Sequence, residues 1–388
     1  MPDDANAMPD PNGHKLADLR LKRGLTQTAL ARQIGVSRQF FNQLEAGRVL
    51  PNVVIALRLA TALERTVEEL FGNAAQIADQ TIPVSLAEQN LTTGARLRIG
   101  RVGQAWVAHP ADTTQTLSAG FNSADAVLES SGRARLLLAP AVAATNVLIA
   151  GCDPALALLQ PSHGQTASGR YHWIDCGSGR GLDLLVAGQT HVAGIHYAGS
   201  NGSGNVQELR KRDPKGRFSL VRFTRWEQGW IVRRKPGHTF TGTSSLASGK
   251  WLLANREPSA AAHRWLLREL SGARIDPKKI SGFATSFTSA TESAQAVARG
   301  QADVTIGPQA VAMAHGLDFV PTEAVDFDLV ATSTWWRSPA GCELLKRITE
   351  LVSTPMLAGL PGYAPTQSGS IRPRDAARVK SLKTRPKT

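Results

Sequence analysis

The sequence predicts a multidomain chain: an all-α domain of short helices, a short β-rich segment, and a large α/β domain. Three observations predict it. From Lys15 to Phe71, Leu16, Leu19, Leu30, Ile34, Leu44, Leu59, Leu63 and Leu70 recur at three- and four-residue steps, the spacing of helices that share a core. RLRIGRVGQAWVAHP then alternates apolar and polar residues, which argues for one or two strands around Gly100 to Gly103. From Val147 onward, strand-like and helical runs alternate, as in an α/β domain with a largely parallel sheet.

Composition bounds the partners. With 388 residues, 42% of them hydrophobic, the chain exceeds one compact core and suffices for two or three domains. Lys plus Arg is 44 against 31 Asp plus Glu, a net charge of +13. That excess favours a polyanion, nucleic acid first and an acidic membrane surface second. Cys152, Cys176 and Cys342 are widely spaced with no CxxC pair, which argues against a disulfide framework or a cysteine zinc site and fits a reducing cytosol. The opening MPDDANAMPDPNGHK is unlike a secretory leader, and the apolar run Leu136 to Cys152 is broken at Pro140. It falls short of the roughly 20 residues of a membrane helix. The expectation is a cytoplasmic protein with no membrane partner.

Residues 1–13 read as a disordered tail, 14–73 as the helical domain, 74–140 as linker and β-rich segment, 141–363 as the α/β domain, and 364–388 as a basic disordered tail. Gly24, Gly35, Gly47 and Pro51 punctuate the helices, and Gly72 to Thr93 reads as linker. The expected strands of the α/β domain are Val147–Ala150, Tyr171–Ile174, His191–His196, Leu220–Thr224, Trp230–Arg233, Trp251–Ala254 and Ala302–Ile306. Pro154–Leu159, Gly181–Ala187, His263–Leu270 and Thr291–Arg299 are the expected helices between them. Arg372 to Thr388 carries seven basic residues against one acid and has no core pattern.

TQTALARQIGVSRQFFNQLEAGR, Thr26 to Arg48, has its own grammar. Thr26 caps a helix running to Ile34, Gly35 supplies a tight turn, and Ser37 caps a second helix ending at Gly47. The outward face of that second helix carries Arg38, Gln39, Asn42 and Gln43, the side-chain types that read guanine and adenine edges in the major groove. Arg48 follows within reach of phosphate. Phe40 and Phe41 are bulky for such a helix: one plugs the core, and the other contacts thymine methyls or packs on the linker. A helical domain whose polar residues are merely solvated is the bland alternative.

GLTQTALARQIGVSRQ, LEAGR-xx-PN and VVIALRLATALERTVEELF resemble the phage-repressor-like, or Xre, helix-turn-helix family over Lys15 to Gly72. The resemblance implies that Gln27 clamps phosphate at a helix N-terminus and that Arg38, Gln39 and Gln43 face bases. Gln27, Ser37, Arg38, Gln39, Asn42, Gln43 and Arg48 form the expected DNA-binding set. One such helix reads only a few base pairs, so a homodimer on paired half-sites of double-stranded DNA is implied.

In the α/β domain, VLIAGCDPALALL runs a buried strand into a turn before Pro154, a good first-turn residue. Gly151, Cys152 and Asp153 thus lie at a strand's carboxyl end beside a helix N-terminus, where ligands collect and anions are favoured. Asp153 reads either as a cap or as a partner of a ligand hydroxyl. DCGSGRGLDLLVAG repeats the arrangement, with Ser178, Gly179 and Arg180 in a turn that could cradle an oxyanion before a helix from Gly181. HVAGIHYAG ends a strand at His196, more a hydrogen-bonded structural residue than a general base. LLANREPSAAAHRW places Asn255, Arg256 and Ser259 before a helix, and FATSFTSATESAQ places Thr288 and Ser289 before another. No catalytic residue, metal or cofactor is expected, because the histidines show no HxH or HExxH spacing and there is no GxSxG elbow or Walker loop. Trp226, Trp230, Trp335 and Trp336 read as core or hinge packing.

The order GCDPAL, GSGRGL, HVAGIH, RWEQGWIV, NREP, VARGQADVTIG, HGLDFVP, DFDLV resembles the substrate-binding domain related to type 2 periplasmic binding proteins, over Val147 to Tyr363. That cytosolic version occurs in molybdopterin-biosynthesis-type proteins and behind Xre-type domains. RVGQAWVAHP resembles the β-rich segment ahead of it in the regulator members. The likeness implies a two-lobed α/β periplasmic-binding-protein-like domain around a cleft, two crossing strands near Val221–Thr224 and Gly229–Arg233, and a small-molecule effector, usually a molybdate-like oxyanion. The chain departs after Asn255-Arg256, where family members carry Gly-Ser-Gly and this chain has Ser259-Ala260-Ala261-Ala262. Losing two glycines stiffens the turn. An organic acid, or a lobe that serves only in assembly of a constitutive DNA-binding protein, therefore stays open beside the oxyanion. A molybdopterin-type cofactor-handling protein or enzyme is the remaining alternative to a ligand-responsive regulator.

Overall fold

The computed structural model describes residues 12–46, 48–49, 51–71, 80–113, 121–160, 169–199, 203–364 and 371–372. Gly47, Gly72, the tail before Asn12 and nearly all of the basic tail lie outside the described residues. The chain divides into two units, Met1–Gln80 and Thr81–Thr388.

The first unit contains α1 (Asn12–Lys22), α2 (Gln27–Ile34), α3 (Arg38–Glu45), α4 (Val53–Leu63) and α5 (Val67–Phe71). Their starts follow from local chemistry. Thr26 Oγ1 accepts from Ala29 N at 3.1 Å, Ser37 Oγ from Phe40 N at 3.1 Å, and Asn52 Oδ1 from Ile55 N at 3.0 Å. Gly35 ends α2 at φ 76°, a left-handed conformation natural to glycine. Leu30, Ile34, Phe41, Leu44, Leu59 and Leu63 meet in the core, each contributing roughly 1.5–3 kcal/mol of burial.

The second unit begins with a six-stranded sheet: β1 (Thr81–Pro83), β2 (Ser85–Leu86), β3 (Arg96–Val102), β4 (Ala105–Pro110), β5 (Ala126–Ser130) and β6 (Arg133–Leu136), in the order β1-β6-β5-β3-β4-β2. The β3–β4 hairpin lies where the alternation placed it. The expected linker is corrected, because β1 and β2 fall inside it. Strands of two or three residues have no period to read and exist only by pairing with β6 and β4.

Next come β7 (Val147–Gly151), a 3₁₀ turn (Pro154–Leu159), β8 (Tyr171–Asp175), α6 (Ser178–Val186), β9 (Val192–Ile195), α7 (Ser203–Arg212) and β10 (Phe218–Val232). After them follow β11 (Asn255–Arg256), α8 (Ala261–Gly272), β12 (Ser286–Phe287), α9 (Ala290–Ala298), β13 (Val304–Pro308), β14 (Asp318–Thr332), α10 (Pro339–Ser353) and β15 (Ile371–Arg372). The main sheet is ordered β13-β10-β14-β9-β7-β8, with β15 beside β10. Only β8–β7–β9 is parallel, and the other pairings are antiparallel. The expectation of a largely parallel sheet is thus corrected to a mixed one.

The two crossing strands expected at Val221–Thr224 and Gly229–Arg233 are two parts of one strand, β10, and its crossing partner is β14. Polar and charged residues within β10 mimic a break: Arg222 is buried, bonded to Asp326 at 2.5 Å and Asp328 at 2.7 Å. At one end β14 pairs with β9 (Asp328 opposite Ile195), and at the other β10 pairs with β13 (Trp230 opposite Ile306). The strands therefore run through both lobes. Ile149, Val221, Phe327 and Leu344 fill the first lobe, and Trp230, Trp251, Leu266 and Ile306 the second. Trp226, Trp230 and Trp336 are buried, in keeping with packing roles. The strand expected at Trp251–Ala254 reduces to a bridge from Leu253 to Val304, with β11 immediately after it.

Candidate functional site

The first candidate surface is α3. Arg38, Gln39, Asn42 and Gln43 are all exposed on it, with Arg48 exposed just beyond. Phe41 is fully buried, and Phe40 packs half-buried on the same core. Ser37 is engaged as the cap of α3. Gln27 Nε2 donates to Glu45 Oε2 at 2.5 Å, and Arg20 Nε donates to Glu45 Oε1 at 2.6 Å. Arg20 also donates to Leu25 O at 2.7 Å. This buried network links α1, the start of α2 and the end of α3, so it sets the pose of the exposed face. Arg20 and Glu45 were not singled out from sequence; a charged pair inside otherwise apolar helical spacing is the only trace they leave.

The second candidate site lies between the lobes of the α/β domain. Ser178 and Gly179 are not in a turn, as expected, but in the first turn of α6, whose N-cap is Gly177. The buried Ser178 Oγ accepts from His196 N at 3.2 Å, and it lies 3.4 Å from His196 Nδ1 and 3.9 Å from Cys152 Sγ. His196 packs edge-on against Trp226 at 5.0 Å. Burial, with Arg256 adding to it, pushes His196 down to about 3, so its ring is neutral. Burial pushes the Cys152 thiol up to about 12, leaving it unreactive at neutral pH.

From the second lobe comes Arg256, almost fully buried on β11. One of its terminal nitrogens donates to Thr288 O at 3.0 Å, while its buried Nε has no hydrogen-bond partner among the described residues. Its charge acts on Asp175, Cys152 and His196 of the first lobe. Asp175, at the carboxyl end of β8, is raised by burial to about 7, with Arg256 and a bond from Ser289 opposing the rise. The lobes also meet directly: Gly177 N donates to Glu257 Oε1 at 3.1 Å, and Gly179 N donates to Ser259 O at 3.2 Å.

The cleft thus brings together Ser178, Gly179, His196, Arg256 and Ser289 of the expected set. The other members point elsewhere. Asp153 is fully buried and accepts from Ala155 N at 2.9 Å, Thr224 Oγ1 at 2.6 Å and Tyr363 Oη at 2.5 Å, as a cap with two further partners. Arg180 extends the other way, donating to Ala87 O at 3.2 Å in the β-rich segment. Asn255 Oδ1 accepts from Arg256 N at 2.8 Å and its Nδ2 donates to Phe283 O at 2.8 Å, so it shapes the strand end. Thr288 donates from its N and Oγ1 to Glu292 Oε2 at 2.9 and 3.0 Å, and Ser289 Oγ accepts from Glu292 N at 3.1 Å as the N-cap of α9. Asp175 and Glu257 were missed. Asp175 has the same strand-end position that drew notice to Asp153, and Glu257 directly follows the Asn-Arg pair. No group of three or more His, Cys, Asp or Glu among the described residues could hold a metal ion, and no described helix is long and apolar enough to cross a membrane.

Residues 160–349 match the family described as PBP superfamily domain, and residues 13–70 match the family described as helix-turn-helix domain. An uncharacterized HTH-type transcriptional regulator of Methanothermobacter thermautotrophicus is 45% identical over 53 residues, covering 13% of this chain and 77% of that protein. The uncharacterized protein YvgK of Bacillus subtilis is 23% identical over 235 residues, covering 58% of this chain and 73% of its own length. Among solved structures, the effector binding domain of QuiR in complex with shikimate aligns at 11% identity over 53% of this chain and 95% of that one, with a TM-score of 0.39.

Proposed function

We infer the function from one premise: through residues 13–70 this chain belongs to the helix-turn-helix-type transcriptional regulators, and it carries a PBP superfamily domain over residues 160–349. A DNA-binding module fused to a ligand-binding module is a ligand-responsive regulator. The finer reading is an Xre-type protein, homodimeric on DNA and cytoplasmic, whose effector is a small anion held between the lobes: a molybdate-like oxyanion or a small organic acid.

The observation that carries the anion is Arg256. A buried guanidinium with an unpartnered N–H, facing the lobe whose α6 N-terminus is the positive end of a helix, favours negative charge. Regulation then needs only linkage: an effector that prefers one lobe arrangement shifts the population of states, and DNA affinity shifts with it. The capping role of Ser289 and the engagement of Thr288 and Asn255 leave Arg256, Ser178, Gly179 and His196 as the residues nearest the effector.

The test is a thermal-shift screen of the full chain with molybdate, phosphate and small organic acids, followed by DNA titrations with each stabilising compound. An effector at a hundredfold its Kd adds about 2.7 kcal/mol of apparent stability. If no anion stabilises the chain or alters its DNA affinity, the reading fails. The bonds from Gly177 and Gly179 to the opposite lobe favour a second reading, in which the closed domain serves assembly alone.

A further inference from the structure

The N-terminus of α6 is capped from an unusual place. Its N-cap residue, Gly177, has no side chain to offer, and no side-chain cap is made from that position. Its first-turn N–H groups are served instead by the opposite lobe, Gly177 N by the Glu257 carboxylate at 3.1 Å and Gly179 N by the Ser259 carbonyl at 3.2 Å. Eighty positions separate Gly177 from Glu257 in the chain. The fit is close: a Cβ on Gly177 would collide with Glu257 Oε1, and one on Gly179 with Ser259 O. A carboxylate therefore already sits where N–H groups and a helix dipole favour an anion. Beside it in sequence, Arg256 keeps its buried Nε unpartnered among the described residues.

We propose that Glu257 is a tethered stand-in for the effector's anionic group: it fills the anion position at the α6 N-terminus when effector is absent, and an incoming carboxylate or oxyanion binds by displacing it. The proposal rests on the reading that the cleft takes an anionic effector. Glu257 then sets specificity. A free anion competes with a carboxylate held at an effective concentration of about millimolar, so weak monoanions lose, and anions that also engage Arg256 Nε win. An ordinary lobe-to-lobe latch would hold the same hydrogen bonds but would not be replaceable by a free anion, and that difference is measurable.

The experiment uses the full chain, with molybdate and acetate as probes, in the wild type, Glu257→Ala and Glu257→Gln. Glu257 is half-buried at the cleft edge, so neither change threatens a core. Amide hydrogen exchange over residues 176–182 is read first without probe. The expected result is exchange about tenfold faster in Glu257→Ala, because the carboxylate no longer protects the Gly177 amide. Adding molybdate or acetate should then restore protection in Glu257→Ala, at concentrations at least about tenfold lower than those that perturb the wild type. Gly177→Ala, whose Cβ displaces the carboxylate, should exchange like Glu257→Ala. Unchanged exchange in Glu257→Ala overturns the proposal. So does faster exchange that neither probe reverses, since that is the behaviour of a latch alone. The regulator reading is tested separately by DNA affinity: probe-restored protection with no change in DNA binding would refute the coupling and leave the Glu257 assignment standing.

Discussion

Arg180 Nη2 lies 3.2 Å from the carbonyl oxygen of Ala87, so the first turn of α6 holds the β-rich segment with one residue while its neighbours face the cleft. Ala87 also packs on Ala150, Cys176 and Leu184, directly beneath that helix start. Further ties from the same segment to the first lobe include Asn146 Nδ2 to Ile99 O at 2.8 Å and Arg98 Nη1 to Trp173 O at 2.6 Å. A displacement at the cleft end of α6 thus has a physical route into the β-rich segment.

Arg180→Ala should remove effector-dependent modulation of DNA binding while leaving effector affinity in place. Arg180 is exposed, so stability should change by no more than about 0.5 kcal/mol. Parallel titrations of effector and of DNA, with and without effector, check this. A variant that keeps full modulation assigns the coupling to other contacts.

Arg38→Ala with Gln39→Ala should abolish sequence preference and leave helical content intact, because both side chains are exposed on α3. Each lost bidentate base contact should cost roughly 1–3 kcal/mol of discrimination. Gel-shift competition between specific and random duplexes is the readout, and retained preference would move the reading face elsewhere.

Glu45→Ala should destabilise the helical unit by about 3–5 kcal/mol, because it strands the buried Arg20 guanidinium. Glu45→Gln keeps an acceptor for Arg20 and should cost less. Denaturant melts of the full chain, followed by a probe in the first unit, separate the two. Equal losses would mean that the charge pair matters less than its shape.

Asp175 titrates in a pH window that its environment defines. Burial raises its native pKa to about 7, against about 3.9 in an unfolded chain. The native state therefore holds the extra proton between these values, and the contribution of Asp175 to stability falls as pH rises from 4 to 7. His196, lowered to about 3, acts in the opposite sense: its contribution rises with pH from about 3 to about 6.5. Asp175→Asn isolates the first effect. The variant should match the wild type near pH 4 and exceed it at pH 8, by an amount on the order of 2–4 kcal/mol. Urea melts at the two pH values measure the difference, and a variant weaker than wild type at pH 8 would show that the charged carboxylate is needed by Arg256.

The helical unit was legible because its signals are local. Thr26, Gly35 and Ser37 cap and turn within a few residues of where they stand, and Phe41 follows the same apolar spacing as Leu44. The α/β domain was legible in the order of its elements for the same reason. Its site was less so. Asp153 was expected near ligand, yet its short polar side chain caps the backbone that follows it, the commoner use of such residues, and Ser289 caps its helix while also bonding Asp175 in the cleft. Glu257 acts on Gly177, a pairing made by tertiary folding that no local pattern encodes. The strand β10 was read as two because Arg222, Thr224 and Gln228 are buried inside it, and the buried partners of Arg222 and Thr224 lie on elements elsewhere in the chain.

The two long strands β10 and β14, each of 15 residues, belong to the sheets of both lobes. The chain enters the second lobe along β10 and leaves it along β14, so the second lobe is an insertion within the first. Neither lobe has a complete sheet without the other, and cleavage between them would remove strand partners from both. The lobes should accordingly unfold in one cooperative transition rather than as separate foldons. Stabilisation gained at the cleft is then gained by the entire two-lobed body, and amides far from the effector in either lobe should slow their global exchange together.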